Sequence, residues 1–279
     1  MVLVYILYKA AGFGGGTGFN MDEDKRDDLF NMPENTLGDR SVADSVAEPQ
    51  MPKEPSLNEL QRMVGMIVSP GQTLADIKER PRFFWMMLLL TAFATLVTVI
   101  TLPELIEYTR TMLNSQFVGD LTPEMIDSAV NMTSTGAIVV VILGMPLACL
   151  IMAVVLAVYN LLAGGMASFK QLFALAVYTH MPNIFAQIIS IVTIKTMGYE
   201  GSLQVNTSPA LLLGAENEGF WFLFLSQFGL FSIWSFVLLV MGGAFMMKKN
   251  AFWLGFVLII LWCALSAVMA AMGNLSAMA

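Results

Sequence analysis

The stretch GAIVVVILGMPLACLIMAVVLAVYNLL, residues 136–162, contains 27 residues, and none of them carries a charge. A helix needs about 20 predominantly apolar residues to cross ~30 Å of hydrocarbon. Inside a bilayer every backbone amide and carbonyl must be satisfied by the protein itself, and a helix does this within one segment. The stretch therefore predicts a transmembrane helix and places the chain among integral membrane proteins.

Four further apolar runs of similar length indicate that the chain crosses the membrane five times. They comprise residues 83–102, 171–197, 220–246 and 251–272, and none contains Asp or Glu. Charged residues make up 13% of the chain, about half the share that is usual in soluble domains. We therefore predict an all-α integral membrane protein built as a five-helix transmembrane bundle.

Basic residues near the ends of the runs predict the orientation, because loops rich in Lys and Arg stay in the cytoplasm. Six bases flank the ends on one side and two flank the other. The first set is Lys78, Arg80, Arg82, Lys170, Lys248 and Lys249, and the second is Arg110 and Lys195. The distribution predicts a cytoplasmic N-terminus and, after five crossings, a C-terminus outside.

The predicted organisation has four parts. Residues 1–56 form an acidic disordered tail, residues 57–82 two cytoplasmic amphipathic helices, residues 83–272 the transmembrane domain and residues 273–279 a short outer tail. Residues 21–60 contain eleven acids and four bases, so that their net charge of −7 equals that of the whole chain. Such acidic segments with few aromatic residues are typical of disorder. Residues 1–20 lack a signal-peptide pattern, and we expect them to be a mis-assigned start.

Local signals predict where two short helices begin. Ser69, Pro70 and Gln72 predict a capping box at the second amphipathic helix. The bases beside both helices indicate either that the helices lie on the membrane surface or that the bases act only as a positive-inside anchor. In the first outer loop, Thr122 and Pro123 predict the start of a separate short helix.

Three sequence blocks suggest a family. They are SPGQTLADIKERP at residues 69–81, SFKQLFALAVYTHMP at 168–182 and FSIWSFVLLVMGG at 231–243. Together they resemble the signature blocks of the Yip family, the Ypt/Rab-interacting membrane proteins. The chain lacks the Asp-Leu-Tyr-Gly-Pro motif of eukaryotic members, which indicates the bacterial branch. The residues that carry the resemblance are Ser69, Pro70, Ser168, Phe169, Lys170, Tyr178, Pro182 and Trp234.

The resemblance implies a non-enzymatic scaffold or accessory factor, serving membrane complexes or membrane organisation, in the bacterial cytoplasmic (inner) membrane. Its expected partners are the lipid bilayer and other membrane proteins, either an ABC transporter or further copies of the chain. No cofactor is implied.

The third run contains a polar pattern that supports an alternative function. His180, Asn183, Gln187 and Ser190 follow one another at spacings that place them on one face of a continuous helix. An ionisable group at membrane depth is a functional candidate, so one interpretation is the polar track of a small transporter or permeation pathway. The other is that the four residues form hydrogen bonds between helices.

Sequence patterns of catalysis are missing. The sequence has no His/Cys/Asp cluster at metal-ligand spacing, no nucleophile elbow and no phosphate-binding glycine loop. It also lacks a basic cluster with interleaved aromatic residues, the usual sign of nucleic-acid binding. We therefore predict no enzymatic activity, assign no catalytic, metal or cofactor residue, and expect no nucleic-acid partner.

Overall fold

The structure, a computed structural model, describes residues 57–116, 121–204, 207–213 and 219–278, and within these ranges the regular elements are all helical. The predictions for the acidic tail and for residues 1–20 lie outside the described residues. In chain order the helices are α1 Glu59–Val68, α2 Pro70–Glu79, α3 Phe84–Gln116, α4 Pro123–Leu162, α5 Phe169–Tyr178, α6 Asn183–Gln204, a 3₁₀ helix Pro209–Leu213, α7 Phe220–Ser226, α8 Leu230–Met247 and α9 Ala251–Met278.

The prediction of five helices suited to cross a membrane is confirmed in the described part of the chain. Five helical segments are long and apolar enough to cross a bilayer, namely Phe84–Ser115, Pro123–Leu162, Phe169–Tyr199, Leu230–Met247 and Ala251–Asn274. Their outer faces expose large apolar side chains, such as Leu143 at 64% and Leu265 at 63%. Such a surface suits hydrocarbon and would be costly in water.

The first two crossings are longer than predicted. Thr122 caps the second, as expected, since its side chain accepts a hydrogen bond from the backbone N–H of Met125. The predicted separate outer helix is wrong, however, because α4 continues for 40 residues without a break. At 1.5 Å per residue α4 measures about 60 Å. Together α3 and α4 project well past ~30 Å of hydrocarbon, and Arg110 bridges Asp127 at 2.9 Å between them.

The third run is divided into two helices by a tight turn at residues 179–182. His180 N–H donates to Val177 O and Met181 N–H to Tyr178 O, both over 3.2 Å and both in the three-residue pattern of a 3₁₀ turn. Pro182 has no N–H to donate and its ring excludes the carbonyl four residues earlier. The fourth run is divided likewise, because residues 227–229 separate α7 from α8. The predictions of one continuous helix through each run are therefore wrong.

The two N-terminal helices, α1 and α2, form a helical hairpin that packs into the bundle. Met66, Leu74 and Ile77 are fully buried there. The hairpin therefore packs against the protein, and its position relative to the membrane surface stays a prediction. The two helices cross tightly, since a Cβ on Gly65 would lie 2.2 Å from Thr73 Oγ1. The predicted capping box at Ser69 is wrong, because its side chain makes no capping hydrogen bond.

At the centre of this packing lies α5. Its residues from Leu172 to Tyr178 are all buried, enclosed by the hairpin, α4 and α8. These seven residues carry no charge, which suits a segment enclosed on all sides. The first half of the third crossing is thus a core element, and the hairpin covers part of it.

Candidate functional site

The three sequence blocks that suggest the family meet in space. They form most of α2, α5 and α8, and these helices approach one another at Gly242. A Cβ on Gly242 would lie 2.3 Å from Leu175 Cδ1 and 2.8 Å from Leu74 Cδ2. We call the surface where α1 and α2 contact α5 and α8 the hairpin interface, and we take it as the candidate functional site.

A buried ion pair closes the hairpin on itself. Arg62 Nε donates to Asp76 Oδ2 over 2.6 Å, and Nη2 donates to the carbonyl of Arg80 over 3.0 Å. The Arg62 side chain is 0% exposed and that of Asp76 is 14% exposed. Desolvation by burial opposes the charged form, but Tyr178 and Asp76 outweigh it, so that the pKa of Arg62 is raised above its ordinary value. The guanidinium therefore stays protonated.

Tyr178 connects this pair to the bundle. Its ring lies 5.9 Å from Arg62 Cζ, a cation–π distance that compensates part of the lost hydration. Its hydroxyl donates a hydrogen bond to Glu59 Oε2. Glu59 is held in the first turn of α1 by a capping box, in which Asn58 and Gln61 exchange hydrogen bonds of 2.8 and 2.9 Å. The end of α5 is thereby tied to the start of α1.

A second set of polar contacts ties α2 to the beginning of α5 and the end of α8. Gln171 closes a capping box with Ser168, and its Nε2 donates to the Lys78 carbonyl over 2.7 Å. Lys78 Nζ donates to Phe245 O over 3.0 Å and lies 4.3 Å from the Phe245 ring centroid. Burial, and then the charge of Lys248, lower the pKa of Lys78. The hairpin is therefore anchored at both ends.

The residues that carry the family resemblance take different positions. Ser168 caps α5, Phe169 stacks 6.2 Å from Phe173, and Pro70 opens α2. Ser69 joins the two hairpin helices through its backbone N–H, which donates to Gly65 O over 2.8 Å. The others are Lys170, which is exposed, Tyr178 in the network, Pro182 in the turn after α5, and Trp234, which packs on the core.

The predicted polar face of the third run is not one continuous surface. His180 lies in the turn after α5, where its Nδ1 is 2.7 Å from Ala176 O. Asn183 begins α6 and is half-buried, whereas Ser190 is exposed on the outside of the bundle. Gln187 Oε1 is buried with no hydrogen-bond partner among the described residues. The arrangement does not favour the transport alternative.

Sequence reasoning missed Glu59, Arg62 and Asp76. One signal was present, because Arg62 stands four residues before Met66 on the face of α1 that becomes buried. A charge on the buried face of a helix needs a partner. Within the described ranges there is no group of three or more His, Cys, Asp or Glu residues suited to hold a metal ion.

Removing the Tyr178 hydroxyl should loosen the hairpin. In Tyr178→Phe the part-buried Glu59 carboxylate loses its donor, which costs about 1–3 kcal/mol. We expect amide hydrogen exchange in α1, followed by mass spectrometry, to become about tenfold faster. Tyr159→Phe, on α4 and outside the network, is the matched control and should leave that exchange unchanged. Equal rates in both variants would contradict a role for the hydroxyl.

The fold and the interface define a class of protein: a polytopic α-helical membrane protein with an N-terminal hairpin packed into its bundle. The sequence matches the Yip1 domain family over residues 64–272, and the chain belongs to this family. It is similar to the membrane protein YknW of Bacillus subtilis (strain 168), with 26% identity over 180 residues that cover 64% of this chain and 76% of YknW. No solved structure matches the chain.

Proposed function

We propose that the protein is a non-enzymatic scaffold or accessory factor that binds another membrane protein. The observation that supports this role most is the hairpin interface. Its buried ion pair and its contacts to α5 and α8 hold the hairpin in one position. A rigid element presents a binding surface at a lower entropic cost than a mobile one.

The outer face of α1 is the surface we assign to the partner. Leu60, Val64 and Val68, spaced four residues apart, are 68%, 61% and 76% exposed. Beside them, a cavity of about 350 Å³ between α1 and α3 is lined by side chains that include Met63, Trp85 and Leu88. An apolar ridge next to an apolar groove fits a helix of a partner membrane protein.

Substitution on this face tests the proposal. Leu60→Ser with Val64→Ser should abolish stoichiometric co-purification of one defined membrane protein from native membranes. Leu265→Ser with Met269→Ser makes the matched change on the exposed, lipid-facing side of α9 and should retain the partner. Retention by both variants, or loss by both, would contradict the assignment. Solute or proton flux through vesicles that contain the purified protein would contradict the scaffold role itself.

The orientation and location that we propose follow from charge. The bundle end that carries the hairpin also carries Lys170, Lys248 and Lys249, which supports a cytoplasmic position for that end. Family membership and similarity to a Bacillus membrane protein support a bacterial cytoplasmic membrane. Reporter fusions at the two ends of the chain should report opposite compartments, and one shared compartment would rule this orientation out.

A further inference from the structure

One end of the bundle presents a surface rich in basic side chains, which we call the basic end. It comprises Lys78, Arg80, Arg82, Lys170, Lys248 and Lys249. Lys78 and Lys248 are close enough for their charges to interact, and Lys249 Nζ lies 3.9 Å from the Cβ position of Gly164 in the neighbouring loop. The backbone contact Met166 N–H to Met247 O, 3.3 Å, holds these loops together.

The acids described near the basic end neutralise only part of it. Asp76 is already paired with Arg62, and Glu79 is an exposed acid of α2. Lys170, Lys248 and Arg82 are largely or partly accessible to solvent. A surface with this excess of one sign attracts an anionic partner.

The chain itself carries a matching segment directly before the hairpin. Residues 21–50 contain nine acids and three bases, a net charge of 3 − 9 = −6. The hairpin begins at Glu59, whose side chain meets Tyr178 within the interface. The nine residues from 50 to 59 reach about 30 Å when extended. Tyr178 lies eight residues, about 12 Å, along α5 from Lys170 of the basic end, which is within that reach.

We propose that residues 21–50 bind the basic end of the same chain through complementary charge and cover it. Tethering by a short linker gives such a segment an effective concentration in the millimolar range. Anionic lipid headgroups compete for the same side chains, since they too attract juxtamembrane bases. In a membrane of neutral lipids, the covalent attachment of residues 21–50 therefore favours their binding to the basic end. The contact is salt-sensitive, because charges are screened over ~8 Å at physiological ionic strength.

Protection from trypsin tests the proposal in the full-length protein. In nanodiscs of neutral phosphatidylcholine at low salt, binding should slow cleavage after Arg40, within the acidic segment. We expect Lys170→Glu with Lys248→Glu to speed this cleavage about fivefold. Lys170→Arg with Lys248→Arg keeps the charges and should behave like the unmodified protein. In about 0.5 M salt the three proteins should be cleaved equally fast, each rate being normalised to that of a free peptide of residues 30–50.

A second variant leaves the bundle untouched and so separates binding from folding defects. Replacing Asp22, Asp24, Asp27 and Asp28 with Asn should also speed cleavage after Arg40 about fivefold. Equal low-salt rates in all variants would overturn the proposal. Protection seen only in discs that contain anionic phosphatidylglycerol would overturn it as well, because that lipid is expected to displace the segment and accelerate cleavage.

Discussion

Replacing Arg62 with Ala is expected to release the N-terminal hairpin from the bundle. The substitution leaves Asp76, whose side chain is 14% exposed, without its partner, and it removes the donor to the Arg80 carbonyl. Removing one member of a buried ion pair costs about 3–5 kcal/mol. We expect amide hydrogen exchange across residues 59–79 to become more than about 100-fold faster, measured by mass spectrometry on the protein in nanodiscs.

A double substitution serves as the control for this experiment. Arg62→Met combined with Asp76→Leu removes both charges and fills the space with apolar side chains of similar volume. Such a replacement of a buried ion pair is often neutral or stabilising. Exchange in the hairpin should then return close to that of the unmodified protein. If Arg62→Ala alone leaves exchange unchanged, the ion pair does not hold the hairpin, and its position depends on the apolar contacts of Met66, Leu74 and Ile77.

Replacing Gly242 with Leu should separate α2 from α5 and α8. Even a single Cβ at this position would lie 2.3 Å from Leu175 Cδ1 and 2.8 Å from Leu74 Cδ2. Both neighbours are fully buried, so the extra atoms have no empty volume to occupy. Overpacking of this kind costs about 1–3 kcal/mol or more. We expect a lower midpoint of thermal unfolding in detergent, together with faster amide exchange in α2.

Gly144 provides the matched control for Gly242. It also lies in a membrane-crossing helix, but a Cβ there meets only Val140 Cγ1 of the same helix, at 3.9 Å. Gly144→Leu should therefore leave both the unfolding midpoint and exchange in α2 nearly unchanged. An equal loss of stability in the two variants would indicate that helix crowding in general, and not the meeting of the three blocks, makes Gly242 sensitive.

The hairpin interface explains why the family match is not confined to the membrane crossings. The match begins at residue 64, within α1, and so includes most of the hairpin. Contacts across the interface join residues far apart in sequence: Tyr178 and Glu59 are separated by 119 positions, and Lys78 and Phe245 by 167. The hairpin is in this sense part of the transmembrane domain and not an appendage before it.

Rules that use only neighbouring residues predicted the apolar helices, one helix start and the family. An uncharged run such as residues 136–162 predicts a membrane-crossing helix, because it is long enough to span hydrocarbon and a helix satisfies its amides within one segment. The helix start at Thr122 and Pro123 was predicted for the same reason, since a cap depends on its immediate neighbours. The blocks around Tyr178 and Trp234 predicted the family, which the match confirms.

Local rules did not predict the features that depend on which other helices pack against a segment. The periodicity of α1 predicts an apolar side, but Leu60 and Val64 on that side stay exposed, and the buried residues are Arg62, Gly65 and Met66. The candidate polar face assumed one helix, and the turn at residues 179–182 separates His180 from the other three residues.

The sequence by itself therefore determined the five long apolar helices, the all-helical class and the family, since each depends on stretches of neighbouring residues. Only the tertiary structure decided that the hairpin packs on α5, that Arg62 pairs with Asp76 and that Tyr178 reaches Glu59. The physical reason is that a buried charge requires a partner of opposite charge at the right distance and angle. That partner lies elsewhere in the chain, so the local sequence around the charge does not identify it.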